Sequence, residues 1–172
     1  MKQKYTSAKS SIKQIPAGYK IVDKYYGWEE GTMNLDIGGG KYDLFSNKLR
    51  EHRVTNMVFD PYNRTPEHNE AVLSVCNMFP PDTITIFNVL NVIEELEMQI
   101  NVLNLALEKV KDGGNIYIRS TYKNPNKKSG VTKSGTYQHY KTQHEYLEIV
   151  KKVFPNAILK HGLISIINVR KR

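Results

Sequence analysis

Apolar and polar residues follow one another along this chain in a pattern that predicts a mixed α/β fold. Apolar and β-branched runs of strand length lie at 33–37, 56–59, 83–90 and 115–119. After the third run, apolar residues recur at steps of three and four from Ile93 to Val110, and Gly113-Gly114 follows. That spacing predicts a long amphipathic helix with a glycine stop.

Shorter helices are predicted on either side of this one. Residues 42–50 carry apolar side chains at helical spacing, and Pro66 can occupy the first turn of a further helix. Residues 71–76 fit either the end of that helix or a third strand. Thr142 and Glu145 have the spacing of a capping box, which predicts that a helix begins there.

The other segments predict loops and turns. Residues 122–137 are rich in lysine, glycine, serine and asparagine without periodicity, which predicts a mobile surface loop. His161-Gly162 separates two apolar runs and predicts a closing hairpin. Residues 1–31 are polar and mixed, with a break at Pro16-Ala17-Gly18. We expect them to contribute to the site of a single domain at 32–172.

The order of these elements predicts where a ligand would bind. Strands that alternate with helices predict a mainly parallel sheet with helices on both faces, and such sheets bind ligands at the carboxyl ends of their central strands. The turn at Gly38, Asp60 and Asn88 all follow predicted strands. We therefore expect three separate segments to meet at one site.

The run Asn34-Leu35-Asp36-Ile37-Gly38-Gly39-Gly40 carries the first strand into a glycine turn. Such glycines permit positive φ and let the backbone approach a ligand closely. Asp36 can receive a cationic or hydroxyl-bearing ligand, and Asp60, after the second strand, can accept both hydroxyls of a ribose. A tight turn beside an unrelated carboxylate is the alternative interpretation.

Asp43 separates two classes of adenosine cofactor. The dinucleotide fingerprint requires a third glycine at the position that Asp43 occupies in this chain. A carboxylate there repels a pyrophosphate, which disfavours NAD and FAD. It favours S-adenosylmethionine, which has no phosphate and carries a positive sulfonium and ammonium. A nicotinamide oxidoreductase is kept as an alternative.

Together these segments resemble the class I, Rossmann-like S-adenosylmethionine-dependent methyltransferases, over about residues 33–170. The likeness rests on the glycine run, on Phe59-Asp60-Pro61, on residues 88–95, and on the step from a helix through Gly113-Gly114 into a strand. It implies a mostly parallel seven-stranded sheet with an antiparallel last strand, helices on both faces, S-adenosylmethionine as cofactor, and methyl transfer.

The resemblance also implies a cofactor site, residue by residue. The glycine run would contact the methionine end of the cofactor. Asp60, after the second strand, would bind the ribose, and residues 88–90 would lie beside the sulfonium. The implied cofactor-binding set is Asp36, Gly38, Gly39, Gly40, Asp60, Pro61, Cys76, Asn77, Asn88, Val89 and Leu90. The chain departs from the family at Tyr42, which replaces a third glycine, and at Cys76-Asn77, which replace an acid near the adenine.

A narrower likeness is to small phage and bacterial methyltransferase-like proteins, including a group associated with DNA phosphorothioation. It rests on residues 60–64, 88–93 and 135–138. It implies a bacterial or phage setting and supplies no acceptor.

The acceptor side is expected from the irregular segments 3–20 and 120–141. Tyr122, Gln138, His139 and Tyr140 are the candidates to orient or deprotonate an acceptor, with His139 as a base near neutral pH or simply a solvated loop side chain. Methyl transfer from a sulfonium can also proceed by proximity and orientation. No catalytic residue is therefore assigned.

Direct methylation of a DNA base is not supported by the motifs. Amino-directed enzymes carry Asp or Asn followed by Pro-Pro and an aromatic residue, whereas this chain has Asn88-Val89-Leu90-Asn91. Enzymes that act on cytosine C5 need a nucleophilic cysteine, but Cys76 follows Val75 and lies before the fourth family strand. A buried small side chain is the better interpretation of Cys76.

Composition adds little to this picture except through charge. The chain has 172 residues, with 25 Lys and Arg against 17 Asp and Glu, for a net charge of +8. This charge favours an anionic partner such as nucleic acid, although a basic surface that only aids solubility is the alternative. A single cysteine predicts neither a disulfide nor a cysteine metal cluster.

The polar N-terminus and the lack of long apolar runs predict a cytoplasmic protein with no membrane partner, in a bacterium or a phage-infected cell. The leading hypothesis is a methyltransferase whose acceptor is a nucleic acid or a small molecule. The alternative is a non-catalytic module on the same fold that binds S-adenosylmethionine or nucleic acid.

Overall fold

The computed structural model describes residues 3–120 and 126–171, and it contains one main sheet between two layers of helices. The six strands of this sheet lie in the order β2-β1-β3-β4-β8-β7. The strands are β1 (Met33–Ile37), β2 (Thr55–Phe59), β3 (Thr83–Phe87), β4 (Asn115–Arg119), β7 (Ile158–Lys160) and β8 (Leu163–Ile166). The first four are parallel, and β8 is antiparallel to both of its neighbours.

Helices cover both faces of the sheet. They are α1 (Ala17–Tyr25), α2 (Leu44–Glu51), α3 (Pro66–Met78), α4 (Leu96–Lys109) and α5 (Gln143–Val150). One face packs Phe45 and Leu49 of α2 against Tyr19 of α1 and Phe87 of β3. The other face buries the apolar sides of α3, α4 and α5 against the sheet. The prediction of a mostly parallel sheet with helices on both faces and a reversed last strand is confirmed.

The number of strands differs from the prediction. Seven strands were expected, and six form the sheet among the described residues. Residues 71–76, which fitted either a helix or a strand, belong to α3, whose Thr65 cap accepts a hydrogen bond from the amide of His68. Val72 and Cys76 lie one turn apart on the buried side of α3. The helix therefore buries both apolar side chains, and a further strand is not needed to bury them.

Helix α1 and a short hairpin were not predicted from the sequence. The expected break at Pro16-Ala17-Gly18 is the start of α1, with Pro16 as its N-cap, because proline favours helix entry as much as it blocks a helix interior. The segment expected to be a mobile loop contains a short hairpin, β5 (Gly130–Val131) and β6 (Tyr137–Gln138). Residues 121–125 lie outside the described residues.

Local signals predicted the remaining elements, although β3 is shorter than the predicted run 83–90. Thr142 and Glu145 form a complete capping box at the start of α5, in which each side chain bonds the backbone amide of the other residue. The strand after Pro81 ends at Phe87, and a short 3₁₀ turn at Leu90–Val92 follows it. This turn and β1 and β2 form the edge at which the candidate site lies.

Candidate functional site

A cavity of about 270 Å³ lies at the carboxyl ends of β1, β2 and β3. It brings together most of the residues that the sequence placed at one site. The predicted residues that line it are Asp36, Gly38, Gly39, Gly40, Asp60, Pro61, Asn88 and Val89. The carboxyl end of a parallel sheet is where the strand order of this fold leaves a crevice, so the location follows from the topology.

Asp36 is a buried carboxylate on the floor of this cavity. Its side chain is 4% exposed, and its Oδ1 accepts a hydrogen bond of 2.9 Å from the Thr85 hydroxyl. Oδ2 accepts no hydrogen bond from the described residues. Burial raises the pKa of Asp36 from 3.8 to about 7, an effect that the Thr85 hydrogen bond opposes and the Asp60 charge reinforces. A carboxylate oxygen that has no hydrogen-bond partner and lies at the floor of a cavity is a ready site for a cationic ligand.

A hydrogen-bonded row of polar side chains across the sheet fixes Asp36. The Asn34 amide donates to Asn56 at 2.7 Å and to the Thr85 hydroxyl at 3.0 Å, and Thr85 in turn donates to Asp36. Asn34 and Thr85 are fully buried. Because all of these donors are committed to neighbours, the carboxylate is held in one orientation.

The glycine loop, residues 38–40, passes over Asp36 with no space for side chains. Gly38 and Gly40 have positive φ of 76° and 74°. A Cβ on Gly39 would lie 2.2 Å from Asp36 Oδ2, and one on Gly38 would lie 2.4 Å from the Val89 side chain. The Gly39 amide donates to no group among the described residues. The loop therefore brings bare backbone and one open donor to the ligand side.

Asp60 differs from its expected state because its carboxylate is already occupied by the chain. Oδ2 accepts from the Gly40 amide at 2.9 Å, and Oδ1 accepts from the amides of Tyr62 and Asn63 at 2.9 and 3.0 Å. The Asn63 side chain also donates to both oxygens. Ribose binding by Asp60 stays a prediction, and it requires the Asn63 side chain to move away from the Asp60 carboxylate.

Asp43 does not face the cavity as an isolated charge. Its Oδ1 pairs with the Arg64 guanidinium at 2.6 Å, and Arg64 Nε also donates to the Gly40 carbonyl at 2.9 Å. Arg64 therefore ties the glycine loop to the turn after β2. Asp43 therefore repels a pyrophosphate much less than an isolated carboxylate would, because Arg64 compensates its charge. The buried carboxylate of Asp36 is the stronger electrostatic feature against a phosphate.

Asn88 and Val89 continue from β3 into the cavity wall. Asn88 has a φ of 58°, which is uncommon for a residue other than glycine, and its amide donates to the Arg119 carbonyl at 2.7 Å. This conformation turns the chain sharply at the end of β3 and leaves the Asn88 side chain exposed at the cavity. Strained backbone of this kind is concentrated at ligand sites.

An apolar wall, formed by α4, the end of β2 and the 3₁₀ turn after β3, was not anticipated. Met98, Val102 and Leu105 of α4 line the cavity with Phe59 and Val92. The three α4 residues follow at steps of four and three, so they form a second row beside the buried face of that helix. The spacing of these three residues was the signal in the sequence for this wall. It was overlooked because they lie within the longer apolar stripe from Ile93 to Val110, which predicted only the core-facing side of the helix.

Three predicted cofactor residues lie away from the cavity. Cys76 is 1% exposed and packs in the core between helices, where burial raises the pKa of its thiol. Asn77 accepts a hydrogen bond from Lys109 on the outer side of α3. Leu90 is fully buried in the same core as Cys76. Cys76 and Asn77 both lie within α3, which takes up the residues that could also have formed a third strand.

The three predicted acceptor residues that the structure describes, Gln138, His139 and Tyr140, do not line the cavity either. His139 is 7% exposed, its amide donates to the Asn91 carbonyl at 2.7 Å, and its ring contacts Tyr137 edge-on. Burial lowers the pKa of His139 below its usual 6.5. It is thus neither a base in the cavity nor a solvated side chain. Gln138 and Tyr140 flank it, and Tyr122 lies outside the described residues.

The N-terminal strap, residues 3–14, closes the cavity from above. Gln3, Ser7, Ser10, Ser11 and Gln14 all line it. The Ser11 hydroxyl accepts a hydrogen bond from the Lys41 amide at 3.2 Å, next to the glycine loop. These residues give the upper wall several hydroxyls and amides but no charge.

The described part of the chain contains neither a candidate metal site nor a candidate membrane span. No group of three or more histidine, cysteine, aspartate or glutamate side chains there could hold a metal ion. No helix there is both long and apolar enough to cross a membrane.

Comparison with known proteins gives matches at the level of structure. A scan against protein-family models finds no match, and a search of curated proteins finds none either. Among solved structures, the 1,6-didemethyltoxoflavin-N1-methyltransferase of Burkholderia thailandensis, with S-adenosylhomocysteine bound, is similar at a TM-score of 0.64 and 12% identity. That match covers 88% of this chain and 76% of the other.

Two further structures extend the likeness. A SAM-dependent methyltransferase from Aquifex aeolicus has a TM-score of 0.57 at 13% identity, over 90% of this chain and 91% of its own. The S-adenosylmethionine-dependent methyltransferase SibL has a TM-score of 0.57 at 12% identity, over 91% of this chain and 55% of its own, so this chain spans about half of SibL. Such identities establish the fold alone, and the chain has the Rossmann-like fold of the S-adenosylmethionine-dependent methyltransferases.

Proposed function

We propose that the protein is an S-adenosylmethionine-dependent methyltransferase. The observation that carries this proposal is the buried Asp36 carboxylate, with one oxygen unpartnered, beneath a glycine loop that offers bare backbone. A ligand that suits this floor is cationic at one end and lacks phosphate. The methyltransferase fold supports the same choice, since structures that share it hold S-adenosylmethionine or S-adenosylhomocysteine.

The residues at the cavity fit the parts of this cofactor. Asp36 and the Gly39 amide would hold the charged amino-acid end, and the turn of Asp60 and Asn63 would hold the ribose. The apolar wall of Phe59, Met98 and Val102 would cover the adenine, which is a flat and largely apolar group. No phosphate-binding lysine or arginine lines the cavity among the described residues.

The chain's own contribution to the reaction is orientation and the exclusion of water. When bound, S-adenosylmethionine supplies an electrophilic methyl group on sulfur. In the transfer, the accepting atom would bond the methyl carbon, sulfur would keep the electrons of the carbon–sulfur bond, and the acceptor's proton would pass to solvent. The strap shields the floor, so the acceptor must present its atom at the mouth of the cavity.

Binding experiments test the proposal directly. S-Adenosylmethionine and its demethylated product should raise the melting temperature at millimolar concentration, by mass action on the folded state. NAD is the matched comparison, because it shares the adenosine but carries a pyrophosphate. A shift with NAD that equals or exceeds the shift with S-adenosylmethionine would contradict the proposal.

A non-catalytic binding module is the second candidate. It is favoured by one observation, since no histidine, lysine or free carboxylate other than Asp36 lines the described cavity as a base. Binding of S-adenosylmethionine without release of S-adenosylhomocysteine, on nucleic-acid, protein and small-molecule acceptors, would select it. For the setting, we propose a bacterial or phage-infected cytoplasm, which rests on the sequence resemblance.

A further inference from the structure

The positive charge of the protein is concentrated in two irregular segments. The N-terminal strap holds three lysines and no acidic residue, and the hairpin segment, residues 126–141, holds four lysines and no acidic residue. Together they carry seven positive charges in a chain whose net charge is +8. We call these lysines the basic rim: Lys4, Lys9, Lys13, Lys127, Lys128, Lys133 and Lys141. The rest of the molecule is close to neutral.

The two segments form one continuous surface beside the mouth of the cavity. Tyr5 of the strap stacks on Tyr137 of the hairpin segment, with ring centroids 5.8 Å apart. The hairpin is docked on the 3₁₀ turn after β3, because the His139 amide bonds the Asn91 carbonyl and the Asn91 side chain donates to Gln138 at 3.3 Å. Both segments that carry the basic rim therefore lie beside the wall at which Asn88 and Val89 enter the cavity.

Most lysines of the basic rim are free to meet a ligand. Lys4 pairs with Glu94 at 3.3 Å, and the other six form no ion pair with the described acidic residues. Lys9, Lys13, Lys127, Lys128 and Lys133 are exposed. A cluster of unneutralised lysines attracts a polyanion, and a single small anion would not need so wide a surface.

Aromatic rings lie among these charges. Lys4 lies over Tyr5 at 5.1 Å and Lys127 over Tyr140 at 6.0 Å, and Lys41, beside the strap, lies over Tyr42 at 5.3 Å. Among the described residues only one other lysine, Lys24, lies over a tyrosine in this way. Lysines and tyrosines interleaved in this way are typical of surfaces that bind nucleic acid.

The cavity itself does not suit a polyanionic acceptor. Its floor carries Asp36, and no lysine or arginine lines it among the described residues. A volume of about 270 Å³ is at the lower end for a small-molecule site, so little space remains beside a cofactor. The acceptor must therefore be held outside the cavity and present one group to it.

We infer that the methyl acceptor is a nucleic-acid strand, held on the basic rim with one nitrogen or oxygen at the mouth of the cavity. This inference rests on the proposed methyltransferase function. It assigns the cofactor to the acidic floor and the acceptor to the basic rim, which separates the two partners by charge.

Binding of labelled oligonucleotides tests the inference. The probes are single-stranded DNA, single-stranded RNA and duplex DNA of about 20 nucleotides, which is longer than the 4–16 nucleotides that single-strand sites cover. Binding is measured by fluorescence anisotropy over a range of NaCl concentrations. The variant Lys127→Gln/Lys128→Gln/Lys133→Gln should bind at least ten-fold more weakly. The salt slope should also fall by about 2, because each lost phosphate contact removes about 0.7 for a single strand.

A matched variant controls for net charge. Lys151→Gln/Lys152→Gln/Lys171→Gln removes the same charge from the opposite edge of the sheet, where β7 begins and β8 ends. It should change oligonucleotide affinity less than two-fold. Equal losses in both variants, or binding of anionic phosphatidylserine vesicles without binding of any oligonucleotide, would overturn the inference.

Calorimetry with S-adenosylmethionine separates this inference from the proposed function. Both triple variants should bind the cofactor as the unmodified protein does, because the substituted lysines do not line the cavity. Cofactor binding without any oligonucleotide binding refutes the nucleic-acid acceptor and leaves the methyltransferase proposal intact. Oligonucleotide binding without cofactor binding refutes both the proposed function and the acceptor assignment. Transfer of labelled methyl to an oligonucleotide, reduced in the rim variant alone, supports both.

Discussion

The floor of the cavity is acidic and tightly hydrogen-bonded, whereas the basic rim beside its mouth is open and cationic. On the floor, both oxygens of Asp60 and Oδ1 of Asp36 accept hydrogen bonds, Asp36 Oδ2 alone is open, and Gly39 has no space for a methyl group. On the rim, Gly130 and Gly135 have open space around their Cα atoms, and the lysines are largely unpaired. The contrast indicates one region preorganised for a defined small ligand and another suited to an extended, variable one.

Removal of the floor charge should have the largest effect. Asp36→Asn keeps the size of the side chain and can still accept from Thr85, but it presents a neutral amide to a cationic ligand. We expect affinity for S-adenosylmethionine to fall at least 100-fold, or about 3 kcal/mol, as when one partner of a buried charge pair is lost. Calorimetry measures it.

Asp112→Asn is the matched control for this substitution. Asp112 forms an exposed ion pair with Arg170 at 3.4 Å, on the opposite edge of the sheet. The variant should bind the cofactor as the unmodified protein does. An affinity in Asp36→Asn within three-fold of the unmodified protein would show that the floor charge is not used.

The same carboxylate should make stability depend on pH. Because the folded protein holds the Asp36 proton up to about pH 7 and the unfolded chain releases it near 3.8, raising the pH favours unfolding over that interval. From pH 5 to pH 8 this group should remove roughly 2–3 kcal/mol from the free energy of unfolding of the unliganded protein. Urea denaturation at several pH values measures it.

Asp36→Asn provides the comparison for the pH experiment. The charges that face Asp36 are Asp60 and Arg64, and both remain in the variant, so only the contribution of Asp36 disappears. The variant should therefore lose less stability than the unmodified protein between pH 5 and pH 8. For binding the sign is opposite, since a cationic ligand needs the ionised form and affinity should rise as the pH passes 7. Parallel stability curves for the two proteins would refute this account.

A methyl group added to the glycine loop should have an intermediate effect. The Cβ of Gly39→Ala would lie 2.2 Å from Asp36 Oδ2 and 2.9 Å from Val58, so the loop or the carboxylate must move. We expect a cost of about 2 kcal/mol in stability, typical of overpacking, with a loss of cofactor binding. Thermal melts and calorimetry measure these effects.

Gly130→Ala is the matched control in the hairpin segment. Nothing lies within 4 Å of its added Cβ, and its φ is not in the left-handed region. Its melting temperature and cofactor affinity should therefore stay unchanged. If the two alanine variants have the same melting temperature and cofactor affinity, the floor is packed no more closely than the rim.

The sequence predicted those parts of the molecule whose signals are local. Strand composition, the glycine run and the capping box of Thr142 each depend on a few neighbouring residues, and all appeared where expected. The acceptor side depended on contacts between distant segments. The His139 amide is bonded to Asn91, so a segment that lacks periodicity is nevertheless ordered around a buried ring.

Residue spacing also could not reveal how hydrogen bonds are shared. Asp60 stands at the end of its strand as predicted, but its donors are Gly40 and the turn that follows it. Arg64 compensates Asp43 through a contact between two loops that are distant in sequence. Such partnerships depend on side-chain geometry after folding, which the spacing of residue types does not contain.

The smallest expected effect concerns the stack that joins the two parts of the rim. Tyr5→Ala removes the contact with Tyr137, which is worth about 1 kcal/mol for an aromatic pair, whereas Tyr5→Phe retains the ring. Since the Lys4 amide still bonds Glu95 at 2.8 Å, the strap should loosen without detaching. Hydrogen exchange of residues 3–14 should quicken about five-fold in the alanine variant and stay unchanged in the phenylalanine variant.

Oligonucleotide affinity should follow the same order, because a loosened strap no longer holds its lysines beside those of the hairpin. Equal exchange in both variants would mean that the strap is positioned by Lys4 and Ser11 alone, and that the rim is two separate surfaces.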